Sequence, residues 1–115
     1  MLDKVLRIAE LYDFYGALLT EKQQRCIEMH YLGDDSLAEI AEEFQVSRQA
    51  VHDILRRGEQ LLAEYEEKLG LVERHRRDLA VIAQVRASLE ALPAETRRLP
   101  ETRQAMELLH QLTDR

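Results

Sequence analysis

A chain of 115 residues is long enough for one domain with its own buried core, and it needs no disulfide staples. Hydrophobic residues at 45% and charged residues at 33%, with four Gly and two Pro, suit a helix-rich globular protein and exclude a disordered one. A net charge of −6 and the absence of Trp exclude a broad basic or aromatic nucleic-acid surface, so any such footprint is small and local.

Residues 3–19 place Val5, Ile8, Tyr12, Tyr15 and Leu19 at helical spacing, which predicts a first helix. Thr20 and Gln23 then fit a capping box, each side chain bonding the other's free backbone N–H. A second helix is expected from Glu21 to about Tyr31, with Gly33 as its breaker and two Asp in the turn. Ser36 and Glu39 repeat the capping-box pattern, and Leu37, Ile40, Ala41 and Phe44 form one stripe. Ser47 is the natural N-cap of the next helix.

That next helix has the clearest periodicity in the chain. At about 100° per residue, Ala50, Val51, Ile54, Leu55, Gly58, Leu61, Leu62 and Tyr65 share one side. Arg48, Gln49, His52, Asp53, Arg56 and Glu59 share the other. Gly58, inside the apolar side, costs about 1 kcal/mol against Ala in a helix. Its use is a close approach of another helix, or a bend. Gly70 ends or kinks this helix. A further helix over about 71–92 offers Val72, Leu79, Ile82, Leu89 and Leu92, and Pro93 closes it. Residues 93–104 read as a connection, with Pro100 in the first turn of a last helix that carries Met106, Leu109 and Leu112. No strand pattern and no convincing repeat appear. The reading is all-α with five or six helices, divided into 1–69 and a C-terminal extension, 70–115.

The segment from Ser36 to Gly58, SLAEIAEEFQVSRQAVHDILRRG, has the spacing of a helix-turn-helix. In that unit one helix crosses over a second, with a small residue at the crossing. Ile40, Phe44, Val46, Val51 and Ile54 are its apolar positions, and Ala41 is the small residue. The turn position, often Gly because it is left-handed, is Gln45, at a cost of about 1 kcal/mol. The candidate binding residues are therefore Ser47, Arg48, Gln49, His52 and Arg56, on the exposed face with Asp53. Arg pairs with guanine, Gln with adenine and Ser with phosphate. The bland alternative is a solvated helix face in which Asp53 and Glu59 form weak ion pairs with Arg48, Arg56 and Arg57. Residues 36–63 carry three basic and five acidic side chains, and charge alone does not choose between these readings.

Other chemistry finds little support. His30, His52, His75 and His110 lie in no metal-ligand pattern. Cys26 reads as a small buried side chain and not a nucleophile. There is no phosphate loop and no catalytic triad, so no enzyme, cofactor or metal is expected. Arg74, Arg76 and Arg77 form one compact basic cluster, which reads as an exposed helix turn neutralised by Glu73 and Asp78. A single Cys, no signal-peptide pattern and no apolar run near the roughly 20 residues of a membrane span lead to a cytoplasmic expectation.

Residues 18–62 resemble region 4 of bacterial sigma factors. The stretch LYDFYGALLTEKQQRCIEMHYLGDDSLAEIAEEFQVSRQAVHD is similar to the YlxM family of helix-turn-helix proteins, encoded beside genes of the signal recognition particle pathway. Asp13 to Gln23, DFYGALLTEKQ, separates that family from sigma factors. The resemblance covers about residues 7–67. It implies a sigma-region-4-like helix-turn-helix core with a C-terminal helical extension, and a regulatory role in or near co-translational protein targeting. The particle's GTPase or RNA is then the expected partner. Two other readings stand beside it. One is a dimeric, sequence-specific transcription regulator. The other is a helix pair that only oligomerises. The apolar stripe Leu79, Ile82, Leu89 and Leu92 leads to an expected homodimer.

Overall fold

The computed structural model describes residues 2–113. Among these are seven α-helices and no strand: α1 (Leu2–Tyr15), α2 (Glu21–Ile27), α3 (Leu37–Phe44), α4 (Arg48–Leu69), α5 (Leu71–Glu90), α6 (Ala94–Arg97) and α7 (Pro100–Thr113). The contacts divide the chain into two compact units, Met1–Val72 and Glu73–Arg115.

In the first unit α4 is the hub, and α1, α2 and α3 all pack on it. Its buried residues are Val51, Leu55, Gly58 and Leu62, all on the predicted apolar side. Ile8, Leu11 and Tyr15 reach the same core from α1, Cys26 and Ile27 from α2, and Ile40 and Ala41 from α3. Each large apolar side chain so buried contributes about 1.5–3 kcal/mol. Gly58 has the role its position implied. A Cβ there would lie 2.9 Å from Ile27 Cδ1, so α2 reaches α4 only because the side chain is missing.

Helix α1 stops four residues short of the expected end. Gly16–Leu18 form a 3₁₀ turn instead, and Leu19 is extended. A side chain at Gly16 would strike the Tyr12 ring at 2.8 Å, which explains the glycine. Helix α2 continues to Leu32, but Glu28–Leu32 are wound as a π turn. Gly33 follows the last helical residue as expected, but it is not the left-handed residue of the turn. Gly33 has an ordinary φ of −103°, and Asp34 takes the left-handed conformation at 60°. Asp tolerates this better than most residues. Gly33 is needed for space, since its Cβ would sit 3.0 Å from the Met29 carbonyl oxygen.

Both expected capping boxes form. Thr20 accepts from the Gln23 N–H while Gln23 accepts from the Thr20 N–H. Ser36 and Glu39 do the same, and the Ser36 N–H holds the Glu39 carboxyl below its ordinary range. Gly70 closes α4 in the left-handed conformation, φ 61°, its N–H donating to the Glu66 carbonyl. The start of α5 is capped from a distance. The Leu71 N–H donates to the Tyr15 hydroxyl at 3.0 Å and the Val72 N–H donates to Glu66 Oε1 at 3.0 Å.

In the second unit no described residue from 73 to 113 is fully buried. Leu79, Ile82, Leu89 and Leu92 are half-buried, while Val81, Val85, Leu108 and Leu112 are exposed. The stretch expected as a connection contains α6, a single helical turn.

Candidate functional site

The site begins at the turn between α3 and α4. Gln45 sits at φ 54°, ψ 46°, the left-handed position that the motif requires, without being Gly. Its N–H donates to the Glu42 carbonyl, and the Val46 N–H donates to the Ala41 carbonyl at 3.0 Å. Those bonds satisfy carbonyls that the end of α3 would otherwise leave open. Ser47 is extended, and its hydroxyl accepts the Ala50 N–H at 3.0 Å. The chain is thereby turned and restarted within three residues.

Ile40 and Ala41 are buried at the crossing of the two helices, with Val51 beneath them. Phe44 packs against this core from its margin. It is only half-buried, and the Arg25 guanidinium lies 4.6 Å from its ring centroid. One side of the ring packs against the buried core, and a cation from α2 covers part of the rest.

Ser47, Arg48, Gln49, His52, Asp53 and Arg56 are all exposed. Arg48, His52 and Arg56, four residues apart, form one row along α4. Gln49 Nε2 donates to Asp53 Oδ1 at 2.9 Å, and His52 Nδ1 lies 3.7 Å from the same oxygen. The ion pairs expected within α4 are not the ones observed. Glu59 turns away from Arg56 and pairs with Lys4 of α1 at 3.1 Å. Asp53 engages Gln49 and His52. Among the described residues, neither Arg48 nor Arg56 makes an ion pair, so two guanidiniums stand available on this face.

The face also has a neighbour that sequence spacing gave no sign of. Lys4 of α1, His30 and Tyr31 of the π turn, and His52, Arg56 and Glu59 of α4 line a hollow of about 390 Å³. Its groups are held in place. His30 Nδ1 bonds the Asp35 carbonyl at 2.9 Å. The hydrogen bond to Glu59 raises the Lys4 ammonium above its usual value. Burial first, and the bond to Glu59 second, push the Tyr31 hydroxyl up. Lys4 and Glu59 are 55 positions apart, and only the packing of α1 on α4 joins them. The open face is thus one row of cationic and polar groups beside a polar hollow. Arg48 and Arg56 can each grip a phosphate or a carboxylate through paired N–H groups.

The remaining candidates lie elsewhere. Cys26 is fully buried, and that burial pushes its thiol up, away from thiolate. Arg74, Arg76 and Arg77 are exposed on α5, and Arg77 Nε donates to Glu73 at 3.2 Å. Among the described residues, no group of three or more His, Cys, Asp or Glu is placed to hold a metal ion. No helix there is long and apolar enough to cross a membrane.

Comparison with known proteins bears on most of the chain. Residues 2–101 match the model of the family described as "Putative helix-turn-helix protein, YlxM / p13 like". A UPF0122 protein of Halalkalibacterium halodurans is 50% identical over 90 residues, 78% of this chain and 83% of its own length. One from Symbiobacterium thermophilum is 54% identical over 86 residues, 75% of this chain and 80% of its own. One from Bacillus cereus is 42% identical over 112 residues, 97% and 99% of the two chains.

Proposed function

The chain belongs to the UPF0122 family of YlxM / p13-like helix-turn-helix proteins, and from that membership we propose that it is a regulatory protein of the signal recognition particle pathway. It works in the cytoplasm by binding and not by catalysis, without cofactor or metal. It contacts the particle's GTPase or RNA through the exposed face of α4, and it acts as a homodimer. The targeting pathway enters through the family resemblance, and the mode of action through the site.

The observation that carries the reading is the state of that face. Arg48 and Arg56 are exposed without an ion pair among the described residues, yet Asp53 lies between them, held by Gln49. A carboxylate there repels duplex phosphates and occupies the amide that would read adenine. Two arginines, with a hollow where Lys4 is already paired with Glu59 beside His52 and Arg56, suit a partner gripped at a few anionic points. A duplex tracked along its whole backbone needs more cations.

The test is binding to the reconstituted particle. Arg48→Glu and Arg56→Glu each weaken it by about tenfold while the circular dichroism melt is unchanged. A sequence-specific transcription regulator gives the opposite pattern. Both variants then bind the particle as wild type does, and the wild-type chain selects a defined duplex from a random pool.

A further inference from the structure

Residues 92–104 contain one short phrase twice, too short to make a structural repeat: Leu92-Pro93-Ala94-Glu95-Thr96-Arg97 and Leu99-Pro100-Glu101-Thr102-Arg103, with Ala94 as the one insertion. Each copy starts a helix with its proline, Pro93 as the N-cap of α6 and Pro100 as the first residue of α7. Proline suits that position because the N–H it lacks has no partner inside the helix. The copies are tied together by their threonines, since Thr102 Oγ1 donates to the Thr96 carbonyl at 2.9 Å.

The repeated phrase has an electrostatic consequence. Within each copy the acid and the arginine are two residues apart. On a helix such residues point to opposite sides and do not pair. Arg97 and Arg103 are thus left without the acid nearest to them in sequence. Together with Arg98 and Ala94 they line a hollow of about 350 Å³ that has no acidic wall. Among the described residues, none of the three arginines makes an ion pair. Arg97 and Arg103 also line an adjoining hollow, together with Glu90 and Glu107.

We propose that this three-arginine hollow is a second binding site, for the phosphate oxyanions of a nucleic-acid backbone. Three arginines line one hollow, and a phosphate bound there offsets their like charges. Guanidinium grips phosphate through paired N–H groups, which lysine cannot do. The hollow is open to solvent, so a polymer can cross it. In a chain of net charge −6 the attraction is local. The site shares no residue with the α4 face and stands whether or not the reading of that face holds.

The experiment uses the full chain and a fluorescent 20-nucleotide oligouridylate, read by anisotropy at several salt concentrations. The triple variant Arg97→Gln, Arg98→Gln, Arg103→Gln binds about tenfold more weakly, and its slope of log affinity on log salt falls by about 2. The matching triple Lys variant keeps most of the slope and binds at an intermediate level. Arg48→Gln with Arg56→Gln leaves the contribution of the three arginines in place. Pyrophosphate, the free-phosphate source, is titrated in parallel. The proposal is overturned if the triple Gln variant binds with the wild-type affinity and slope. Failure of the wild-type chain to retain oligouridylate, with or without pyrophosphate binding, also overturns it. Unchanged circular dichroism in the variants separates loss of the site from loss of fold.

Discussion

Ile27 Cδ1 stands 2.9 Å from the point where a Cβ on Gly58 would be, so α2 and α4 meet at the one position of the interface without a side chain. Two effects oppose each other in Gly58→Ala. Helix propensity favours Ala by about 1 kcal/mol. Overpacking against the fully buried Ile27 costs about 1–3 kcal/mol. The expected net loss is about 1 kcal/mol. Ile27→Val removes the clashing methyl, so in urea melts the double variant is more stable than the two single losses sum to. Strict additivity would mean that the two residues do not touch.

The helix crossing sets an order of stability losses. Ile40→Ala empties a fully buried position and costs about 3–4 kcal/mol. Phe44→Ala costs about 2 kcal/mol, because the ring is only partly buried and part of its contact is the Arg25 guanidinium. Arg48→Ala, on the exposed face, costs under about 0.5 kcal/mol. Denaturant melts that place Arg48 above Ile40 would refute the helix-turn-helix packing.

Gln45 occupies the left-handed region at φ 54°. Strain there is about 1–2 kcal/mol for a residue with a Cβ. Gln45→Gly relieves it and loses about 0.5–1 kcal/mol to unfolded-chain entropy. The variant is therefore more stable by about 0.5–1 kcal/mol in thermal melts, whereas the β-branched Gln45→Val is less stable.

Tyr15 donates its hydroxyl to Glu66 at 2.5 Å and accepts the Leu71 N–H. Tyr15→Phe removes both bonds and costs about 1–2 kcal/mol. The tyrosines also set an alkaline limit. Burial is the first cause that raises Tyr15 and Tyr31, and it pushes Tyr12, bonded to Glu28, up to about 12. Unfolded tyrosine ionises near pH 10. Above that pH the unfolded chain has released protons that the folded chain still holds. Stability is therefore complete below about pH 10 and falls as pH rises through the folded values. Urea midpoints at pH 8, 10 and 11, with the phenolate absorbance followed in parallel, check both the direction and the window.

Val81, Val85, Leu108 and Leu112 are exposed in a unit where no described side chain is fully buried. A second copy is the commonest cover for such a face. Sedimentation equilibrium should give a mass that rises with concentration towards twice 13.4 kDa. Val85→Glu or Leu108→Glu should hold the chain at the monomer mass. A concentration-independent monomer in the wild-type chain contradicts the homodimer.

What was legible from the residues alone was local. Thr20–Gln23 and Ser36–Glu39 cap helices because each pair needs only its own turn, and a four-residue pattern records that. The apolar side of α4 and the close approach at Gly58 were legible because helical geometry repeats every 3.6 residues. The left-handed Gln45 followed from the spacing of the two helices around it. The π turn at Glu28–Leu32 was not legible, because an added residue per turn leaves no mark in residue type. Nor was it legible which residue of the turn after it is left-handed, Asp34 and not Gly33.

The charges were decided by tertiary packing. Glu59 has Arg56 within helical reach and pairs instead with Lys4, because α1 brings that ammonium to 3.1 Å. That choice leaves Arg56 without an ion pair on the exposed face. Sequence spacing sets which partners a charged group can reach along its own helix. Packing brings competitors from other helices, and a charge of this kind binds whichever partner the fold holds nearest.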